Sequence, residues 1–222
     1  MSDLSPIVLF VYNRPWHTQK TVEALQKNEL ASESELIIYS DAEKYKKNIE
    51  QVKKVREYIK SIDGFKKTTI IYRDKNWGLA NSIIDGVTSV VDEHEKIIVL
   101  EDDLVTSKYF LRFMNDALFA YENEVNVASI HAYVYPIENL PDTFFIRGAD
   151  CWGWATWKDK WTIFESNGKK LIDELKSRKL EKVADFNGTY GFTKMLEDQI
   201  LNRNDSWAIR WYMSAFLKNM LT

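Results

Sequence analysis

The chain has 222 residues, 45% hydrophobic and 28% charged, which is typical of a soluble globular protein with a sizeable core. Its formal net charge of −3 argues against a dedicated nucleic-acid-binding protein, so nucleic acid is not expected as a partner. The single cysteine, Cys151, excludes an intrachain disulfide and indicates a reducing compartment. No N-terminal signal-peptide pattern and no run of about 20 apolar residues is found, so we expect a cytoplasmic protein, with the inner face of the membrane as the alternative.

Apolar runs alternate with segments of helical periodicity over the first half of the chain. The runs predict strands at residues 7–11, 35–40, 68–72 and 97–100. The helical segments extend to about residue 27 and over residues 43–62, 79–91 and 107–121. This alternation predicts the α/β fold class, with a mostly parallel central sheet flanked by helices.

The helix predicted at residues 43–62 has two distinct faces. One face is apolar, and we expect it to pack on the core; it consists of Ile49, Val52, Val55, Tyr58 and Ile59. The rest is rich in lysine, and we interpret it as a solvated face, with contact to a membrane surface as the alternative. Its lysines are Lys44, Lys46, Lys47, Lys53, Lys54 and Lys60.

Polar side chains follow each of the four predicted strands. They are, in strand order, Asn13 with Arg14, then Asp41, then Arg73, and finally the acidic triplet Glu101, Asp102 and Asp103. Ligands of open parallel sheets bind beyond the carboxyl ends of the strands, so we expect one site at this edge.

The acidic triplet needs a positive partner. Three adjacent carboxylates repel one another, and desolvating them at the end of a core strand is costly unless a cation neutralises them. A divalent cation suits carboxylate oxygens and also binds phosphates. The alternative is a strand that simply ends in an acidic turn.

The pattern changes after Pro141. Six of the eight tryptophans lie in the last third of the chain, around a glycine-punctuated stretch at residues 148–157. We predict further strands at residues 126–131 and 144–147, and helices at residues 171–180, 192–202 and 207–217. The final helix shows no stop signal before Thr222, so we expect it to continue to the end of a truncated chain.

In order and spacing, these motifs resemble those of a GT-A glycosyltransferase. The Glu-Asp-Asp form of the acidic motif resembles N-acetylglucosaminyltransferase I and related bacterial sugar transferases. The resemblance is close over residues 7–121 and looser from residue 152 onward. The motifs are Asn13-Arg14-Pro15, Asp41, Asn76-Trp77-Gly78-Leu79-Ala80, Glu101-Asp102-Asp103 and Gly153-Trp154.

The resemblance implies a role for each member of the triplet. Asp103 would ligate Mn²⁺ or Mg²⁺, Asp102 would approach the ribose and the metal-bound waters, and Glu101 would contact the donor sugar. A metal with few protein ligands shares its shell with phosphates and water, which suits these two ions.

Other donor contacts follow from the same resemblance. Asp41 would hydrogen-bond the uracil edge, and Arg14, beside Asn13, would lie near the base and phosphates. The segment from Asn76 to Gly78 would close over the donor. An alternative for that segment is a turn and helix cap in which Gly78 supplies an unusual backbone angle.

The tryptophans divide into two groups. Gly153 and Trp154 match the family's Gly-Trp donor-site loop, which favours sugar contacts for Trp152 and Trp154. His131 is expected to be structural, with a contact to donor or acceptor as the alternative. The remaining tryptophans of the last third are predicted to lie in the core: Trp157, Trp161, Trp207 and Trp211.

An inverting transfer also needs a base for the acceptor hydroxyl. In the family this is an Asp that opens a helix in an Asp-Trp context, and Asp205 is the matching candidate. The alternative is that Asp205 or Ser206 merely caps the helix that follows. Glu197 or Asp198 is the reserve candidate.

We therefore predict a metal-dependent, inverting glycosyltransferase that moves a sugar, with GlcNAc the leading candidate, from a UDP-sugar to a glycan or glycolipid hydroxyl. Residues 1–145 would bind the donor, and residues 146–222 would form the acceptor side and lid. One alternative is a nucleotidyltransferase, which would need a glycine-rich basic loop where Asn13-Arg14-Pro15 stands. Another is a non-catalytic carbohydrate-binding fragment.

Overall fold

A six-stranded sheet forms the centre of the computed structural model, which describes residues 4–222. The strands are β1 (Ile7–Val11), β2 (Glu35–Ser40), β3 (Lys67–Tyr72), β4 (Lys96–Glu101), β5 (Ile130–His131) and β6 (Trp154–Trp157). Their order is β3-β2-β1-β4-β6-β5. The first four strands are parallel, and β6 runs antiparallel to both β4 and β5. The predicted α/β class with a mostly parallel sheet is confirmed.

Helices cover both faces of the sheet. Strand β1 is buried on both sides, with Leu9 facing one core and Phe10 the other, which explains its uninterrupted apolar run. Helices α1, α2 and α4 pack on the first face, and α3, α5 and α9 on the second. The helices are α1 (Pro15–Gln26), α2 (Ile49–Ile59), α3 (Leu79–His94), α4 (Phe110–Ala120), α5 (Lys158–Trp161), α6 (Gly168–Ser177), α7 (Glu181–Ala184), α8 (Phe192–Ile200) and α9 (Trp207–Leu217).

The strand order reverses between β1 and β4. From β1 the chain goes outward to β2 and β3, and it returns on the other side of β1 as β4. The loops that leave β1 and β4 therefore diverge and leave a crevice at their carboxyl ends. Phe10 lies opposite Glu101, so the acidic triplet emerges level with the end of β1.

Two predicted strands and the end of the last helix differ from the structure. Residues 144–147 form no strand, and the strand predicted at 126–131 is reduced to β5. Helix α9 ends at Leu217 because Asn219 takes a positive φ of 57°. Leu221 then bridges to Val127 and Arg147, so single pairings replace the two longer strands. Strand β6 was not predicted.

Helix α2 is shorter than predicted. Residues 46–48 form a separate 3₁₀ turn, and the α-helix begins at Ile49. Val52, Val55 and Ile59 are buried as predicted, whereas Ile49 is 48% exposed. The prediction of Ile49 as a core residue was wrong because it lies at the exposed start of the helix. Within residues 4–222, no helix has the length and apolar character needed to cross a membrane.

Candidate active site

A cavity of about 680 Å³ opens at the carboxyl ends of β1, β2 and β4. Its volume lies within the range that holds small-molecule ligands in proteins. Five separate stretches of the chain supply its lining, and three of them follow β1, β2 and β4 at the shared sheet edge. The residues predicted from the sequence that line it are Asn13, Arg14, Asp41, Asn76, Gly78, Glu101, Asp102 and Asp205.

Arg14 connects the loop after β1 to the acidic triplet. Its Nη1 donates a hydrogen bond of 2.8 Å to Asp103 Oδ2, and its Nη2 donates to Asp102 Oδ1. Partial burial lowers the pKa of Arg14, but the two ion pairs outweigh it and the net pKa is raised. The cation that the triplet requires is thus supplied by the chain itself in this state.

The carboxyl groups of the triplet have unequal environments. Burial raises the pKa of Glu101 to about 7, and the neighbouring Asp103 adds to the shift while the Trp207 indole opposes it. Burial also raises the pKa of Asp102, although its contact with Arg14 opposes this. The side chain of Asp103 is 40% exposed. Burial therefore brings the pKa of Glu101 close to neutral pH, and Asp103 is the most accessible of the three.

Asp41 is fully engaged by its own chain. Its Oδ1 accepts hydrogen bonds of 2.9 Å from the backbone N–H groups of Ala42 and Trp77. Its Oδ2 accepts bonds of 3.0 Å from Gly78 N and Asn76 Nδ2. A carboxylate has about four acceptor positions. The uracil contact predicted for Asp41 would therefore have to displace one of these bonds.

Gly78 begins helix α3 in a conformation that favours glycine. Its φ of 74° and ψ of 161° are strained for any residue with a Cβ. The turn-and-cap interpretation of this segment is thus confirmed. Asn76 and Gly78 also line the cavity, so the loop that Asp41 holds forms part of its wall.

Asp205 lines the cavity and lies two residues before the first residue of α9. Ser206 is the N-cap of this helix, and its Oγ accepts a 3.2 Å hydrogen bond from Ile209 N. Asp205 is therefore not needed as a cap, and its side chain is 67% exposed. Arg210 Nη2 lies 3.9 Å from Oδ1 of this carboxylate.

The reserve acids lie elsewhere. Glu197 pairs with Lys176 at 2.8 Å, and Asp198 pairs with Arg203 at 3.0 Å and with Lys194. Neither acid is part of the cavity lining. Among the three acids considered as base, geometry favours Asp205.

Three predicted donor-site residues do not line the cavity. Asp103 lies beside Asp102 and is held by Arg14. Gly153 precedes β6, and a Cβ on it would approach Phe110 to 3.1 Å. Trp154 is 0% exposed and stacks on Trp207 with ring centroids 5.4 Å apart. A ring without exposed surface cannot lie against a donor sugar, so this prediction for the Trp154 side chain is contradicted by its burial.

The other tryptophans of the last third lie mostly in the core. The core positions predicted for Trp157, Trp161, Trp207 and Trp211 are confirmed by their burial.

The guanidinium of Arg73 lies over the Trp77 ring at 3.8 Å and pairs with Asp85. Arg73 does not line the cavity, so the expectation that all four polar clusters form one site was wrong for it.

Two cations of the site were missed from the sequence. Lys44, which we had placed on the solvated face, lines the cavity because it lies in the loop before α2. Arg210 is buried at 8% exposure and donates to Ser206 O and Ser166 O. Burial lowers its pKa, while Asp205 raises it. A basic residue within the apolar segment Trp207–Leu217 is the signal that could have singled out Arg210.

The side chains that could ligate a metal suit a hard divalent cation whose remaining ligands are phosphates and water. Within residues 4–222, no three His, Cys, Asp or Glu side chains are grouped so as to hold a metal ion by themselves. Asp102 and Asp103 offer adjacent carboxylates, which suit Mn²⁺ or Mg²⁺. Burial raises the pKa of the Cys151 thiol, so this neighbour stays protonated and is a poor ligand. The residues therefore fit a cation shared with a bound diphosphate.

Comparison with known proteins identifies the family. The profile of glycosyl transferase family 2 matches residues 7–193 of this chain. The chain therefore belongs to this family. The matched range contains every predicted donor-site and metal-site residue but ends before Asp205. The search of curated proteins returned no match.

The solved structures that this chain resembles include a mannosyltransferase and S. aureus TarS. The mannosyltransferase PcManGT from Pyrobaculum calidifontis, solved with GDP-Man and Mn²⁺, is 12% identical, with a TM-score of 0.42 over 60% of this chain and 39% of that chain. S. aureus TarS is 15% identical, with a TM-score of 0.41 over 66% of this chain and 24% of that one. TarS 1–349 is 11% identical, with a TM-score of 0.43 over 80% and 49%. This chain thus spans a quarter to a half of their lengths.

Proposed function

We propose that this chain transfers a sugar from a nucleotide-diphosphate donor to a hydroxyl acceptor in the cavity at the ends of β1 and β4. The observation that carries the proposal is the convergence of eight predicted site residues on this cavity, in a chain of glycosyl transferase family 2. A UDP-sugar is the proposed donor. GlcNAc is the leading sugar because of the Glu-Asp-Asp form of the acidic motif.

Two basic side chains would bind the diphosphate of the donor. Arg14 and Lys44 both line the cavity and can neutralise its charge. Asp103 would ligate the divalent cation, with Asp102 near the metal-bound waters, and Arg14 would have to release Asp103 for this to happen. When bound, Mn²⁺ or Mg²⁺ would act as a Lewis acid that neutralises the departing diphosphate. Glu101 would face the sugar, and Asp102 the ribose.

Asp205 is the proposed base. Its carboxylate would take the proton from the acceptor hydroxyl as the hydroxyl oxygen attacks the anomeric carbon, and the nucleoside diphosphate would leave from the opposite side. This direct displacement inverts the anomeric centre. The exposure of Asp205 leaves its carboxylate open to an acceptor, and Arg210 Nη2 lies 3.9 Å from its Oδ1.

Asp41 would act through the loop it holds. We propose that its three hydrogen bonds to residues 76–78 fix Asn76 and Gly78 in the cavity wall, so that Asp41 positions the donor loop instead of reading the base. Asn13 and Gly153 stay proposed donor-site residues on the resemblance of their motifs.

The wider setting is also proposed from the sequence. Residues 1–145 would bind the donor and residues 146–222 would form the acceptor side of the same domain. The acceptor would be a glycan or glycolipid, with peripheral membrane contact through the lysines of α2 and a cytoplasmic location. Exposed lysines such as Lys53 and Lys54 fit such a contact.

Calorimetry with UDP, with and without Mn²⁺, tests the proposal. We expect metal-dependent UDP binding that is lost in Asp103→Ala. The matched control is Asp173→Ala, which removes a surface carboxylate paired with Lys169 and should leave binding unchanged. A preference for UTP would indicate a nucleotidyltransferase, and no nucleotide binding a non-catalytic carbohydrate-binding fragment. Either result, or tight UDP binding by Asp103→Ala, would contradict the proposed site.

A further inference from the structure

An exposed aromatic cluster lies outside the cavity. Tyr133, Tyr135 and Trp152 have ring centroids 4.9 to 6.2 Å apart, with interplanar angles from 59° to 78°. Their exposed fractions are 42%, 54% and 44%. The rings contact one another by edges and tilted faces, so part of each ring stays open to solvent. None of the steps proposed above uses this cluster.

Strand register places the cluster beside the acidic triplet. Trp154 pairs with Val99 of β4 and with His131 of β5. Continuing both antiparallel registers by two residues brings Trp152 level with Glu101 and with Tyr133. The hydrogen bond of 3.0 Å from Ala132 N to Gly153 O continues the second pairing. The cluster thus borders the sheet edge at which transfer is proposed, on the β6 side, whereas Asp41 and Asn76 lie on the β2 side.

Hydrogen-bonding groups accompany the rings. The His131 side chain is only 10% exposed, and its Nε2 has no hydrogen-bond partner within residues 4–222. Its Nδ1 lies 3.8 Å from Oδ2 of Asp150, whose side chain is 48% exposed. The His131 and Tyr133 ring centroids are 6.5 Å apart. The exposed carboxylate of Asp150 can accept hydrogen bonds from the hydroxyls of a ligand whose apolar face lies on the rings.

The acidic character of residues 132–146 favours an uncharged ligand over an anionic one. Residues 132–146 contain Glu138 and Asp142 but no lysine or arginine. A surface of this sign would repel anionic lipid headgroups and phosphate-rich polymers. The C–H groups of a pyranose ring carry partial positive charge and pack on the negative faces of aromatic rings. An uncharged saccharide matches the rings, the carboxylate and the absence of basic side chains together.

We propose that Tyr133, Tyr135 and Trp152 form a platform that binds an uncharged saccharide unit of the acceptor. The inference rests on the proposed transfer reaction, because it makes the acceptor a carbohydrate held next to Glu101 and the donor sugar. Trp152 supplies the largest ring, and the two tyrosines add rings and hydroxyl groups beside it.

Saturation-transfer NMR tests the platform. The probes are cellobiose, lactose and N,N′-diacetylchitobiose, each with UDP and Mg²⁺ present, because Mn²⁺ would broaden the signals. We expect saturation transfer to at least one probe in the unaltered chain. In Trp152→Ala and in Tyr135→Ala, we expect binding weakened by about fivefold or more, as for an aromatic anchor of an interface.

Phe119→Ala is the matched control, since Phe119 is an aromatic residue 67% exposed on α4 and outside the cluster. It should bind the probe as the unaltered chain does, and Trp152→Phe should restore most of the binding. Thermal denaturation of every variant checks that the fold is retained.

Three results would overturn the platform. The first is that none of the three probes shows saturation transfer. The second is that saturation transfer is unaffected by Trp152→Ala. The third is sedimentation of the protein with phosphatidylcholine vesicles that depends on Trp152. Calorimetry with UDP on the same samples separates this inference from the proposed function. Intact UDP binding without a Trp152-dependent saccharide contact contradicts the platform alone, whereas absent UDP binding contradicts the proposed function.

Discussion

Arg14 Nη1 donates a 2.8 Å hydrogen bond to Asp103 Oδ2, across 89 positions of the chain. The same guanidinium reaches Asp102, whose side chain is 4% exposed. One residue of the loop after β1 therefore neutralises the acidic residues after β4. The chain can fold with these carboxylates together before any ligand arrives, and a divalent cation must then compete with Arg14 for Asp103.

Replacing Arg14 should destabilise the protein without added metal. Arg14→Gln leaves the buried carboxylate of Asp102 without its charged donor, which we expect to lower the free energy of unfolding by about 1–3 kcal/mol. If the divalent cation binds at Asp103, Mn²⁺ should recover more stability in this variant than in the unaltered chain. Urea denaturation with and without Mn²⁺ measures both effects.

Arg112→Gln is the control for this experiment. Arg112 pairs with Glu29 at 2.6 Å, and both side chains are more than 40% exposed. Removing such an exposed, solvent-screened pair should change stability much less than Arg14→Gln does. Equal effects of the two substitutions would show that the Arg14 contacts are no stronger than a surface ion pair.

Asp41→Asn should loosen the loop of the cavity wall. An asparagine side chain has one acceptor oxygen, whereas both oxygens of Asp41 accept hydrogen bonds. Either Trp77 N and Ala42 N or Gly78 N and Asn76 Nδ2 therefore lose their acceptor. We expect stability to fall by about 1–3 kcal/mol and hydrogen exchange to accelerate at residues 76–80. Exchange measured by mass spectrometry reports this directly.

Asp74→Asn is the matched control, because Asp74 is an exposed acid in the same connection between β3 and α3. It should leave exchange at residues 76–80 unchanged. If Asp41→Asn also left exchange and stability unchanged while weakening UDP binding, the residue would be reading the nucleotide and not holding the loop.

Trp154 should behave as a core residue. Trp154→Ala removes a fully buried ring that packs against Trp161, Trp207 and Trp211, and we expect it to lower stability by about 3–5 kcal/mol. Trp16→Ala, at a position 64% exposed, should change stability by about 0.5 kcal/mol or less. Thermal and urea denaturation of both variants gives the comparison. A Trp154→Phe variant with normal stability but weakened UDP binding would instead support the donor contact.

The sequence predicted the elements whose burial is regular. Strands such as β1 and β4 are buried on both faces and read as uninterrupted apolar runs, and the sheet edge that they end on follows from parallel pairing. Strand β6 was missed because Trp154 to Trp157 is short and follows a glycine, as a loop would. The apolar run at residues 144–147 was misread as a strand, although Phe144 and Phe145 are exposed and find no strand to pair with.

Side-chain partnerships in the site could not be predicted. The approach of Arg14 to Asp103 and the saturation of Asp41 depend on three-dimensional contacts between loops, which no local pattern records. Whether Asp205 or Ser206 caps α9 depends on a one-residue difference in where the helix begins. Residue types thus predicted which side chains meet at the edge, whereas the pairing among them required the structure.

Release of nucleoside diphosphate from UDP-, GDP- and dTDP-sugars, by the unaltered chain and by Asp205→Asn, tests the central claim most directly. Asp198→Asn is the control, since Asp198 is an acid outside the cavity. We predict release with Mn²⁺ by the unaltered chain and the control, and release slower by about 100-fold or more in Asp205→Asn with UDP binding intact. No release from any donor by the unaltered chain, or undiminished release by Asp205→Asn, would contradict the account.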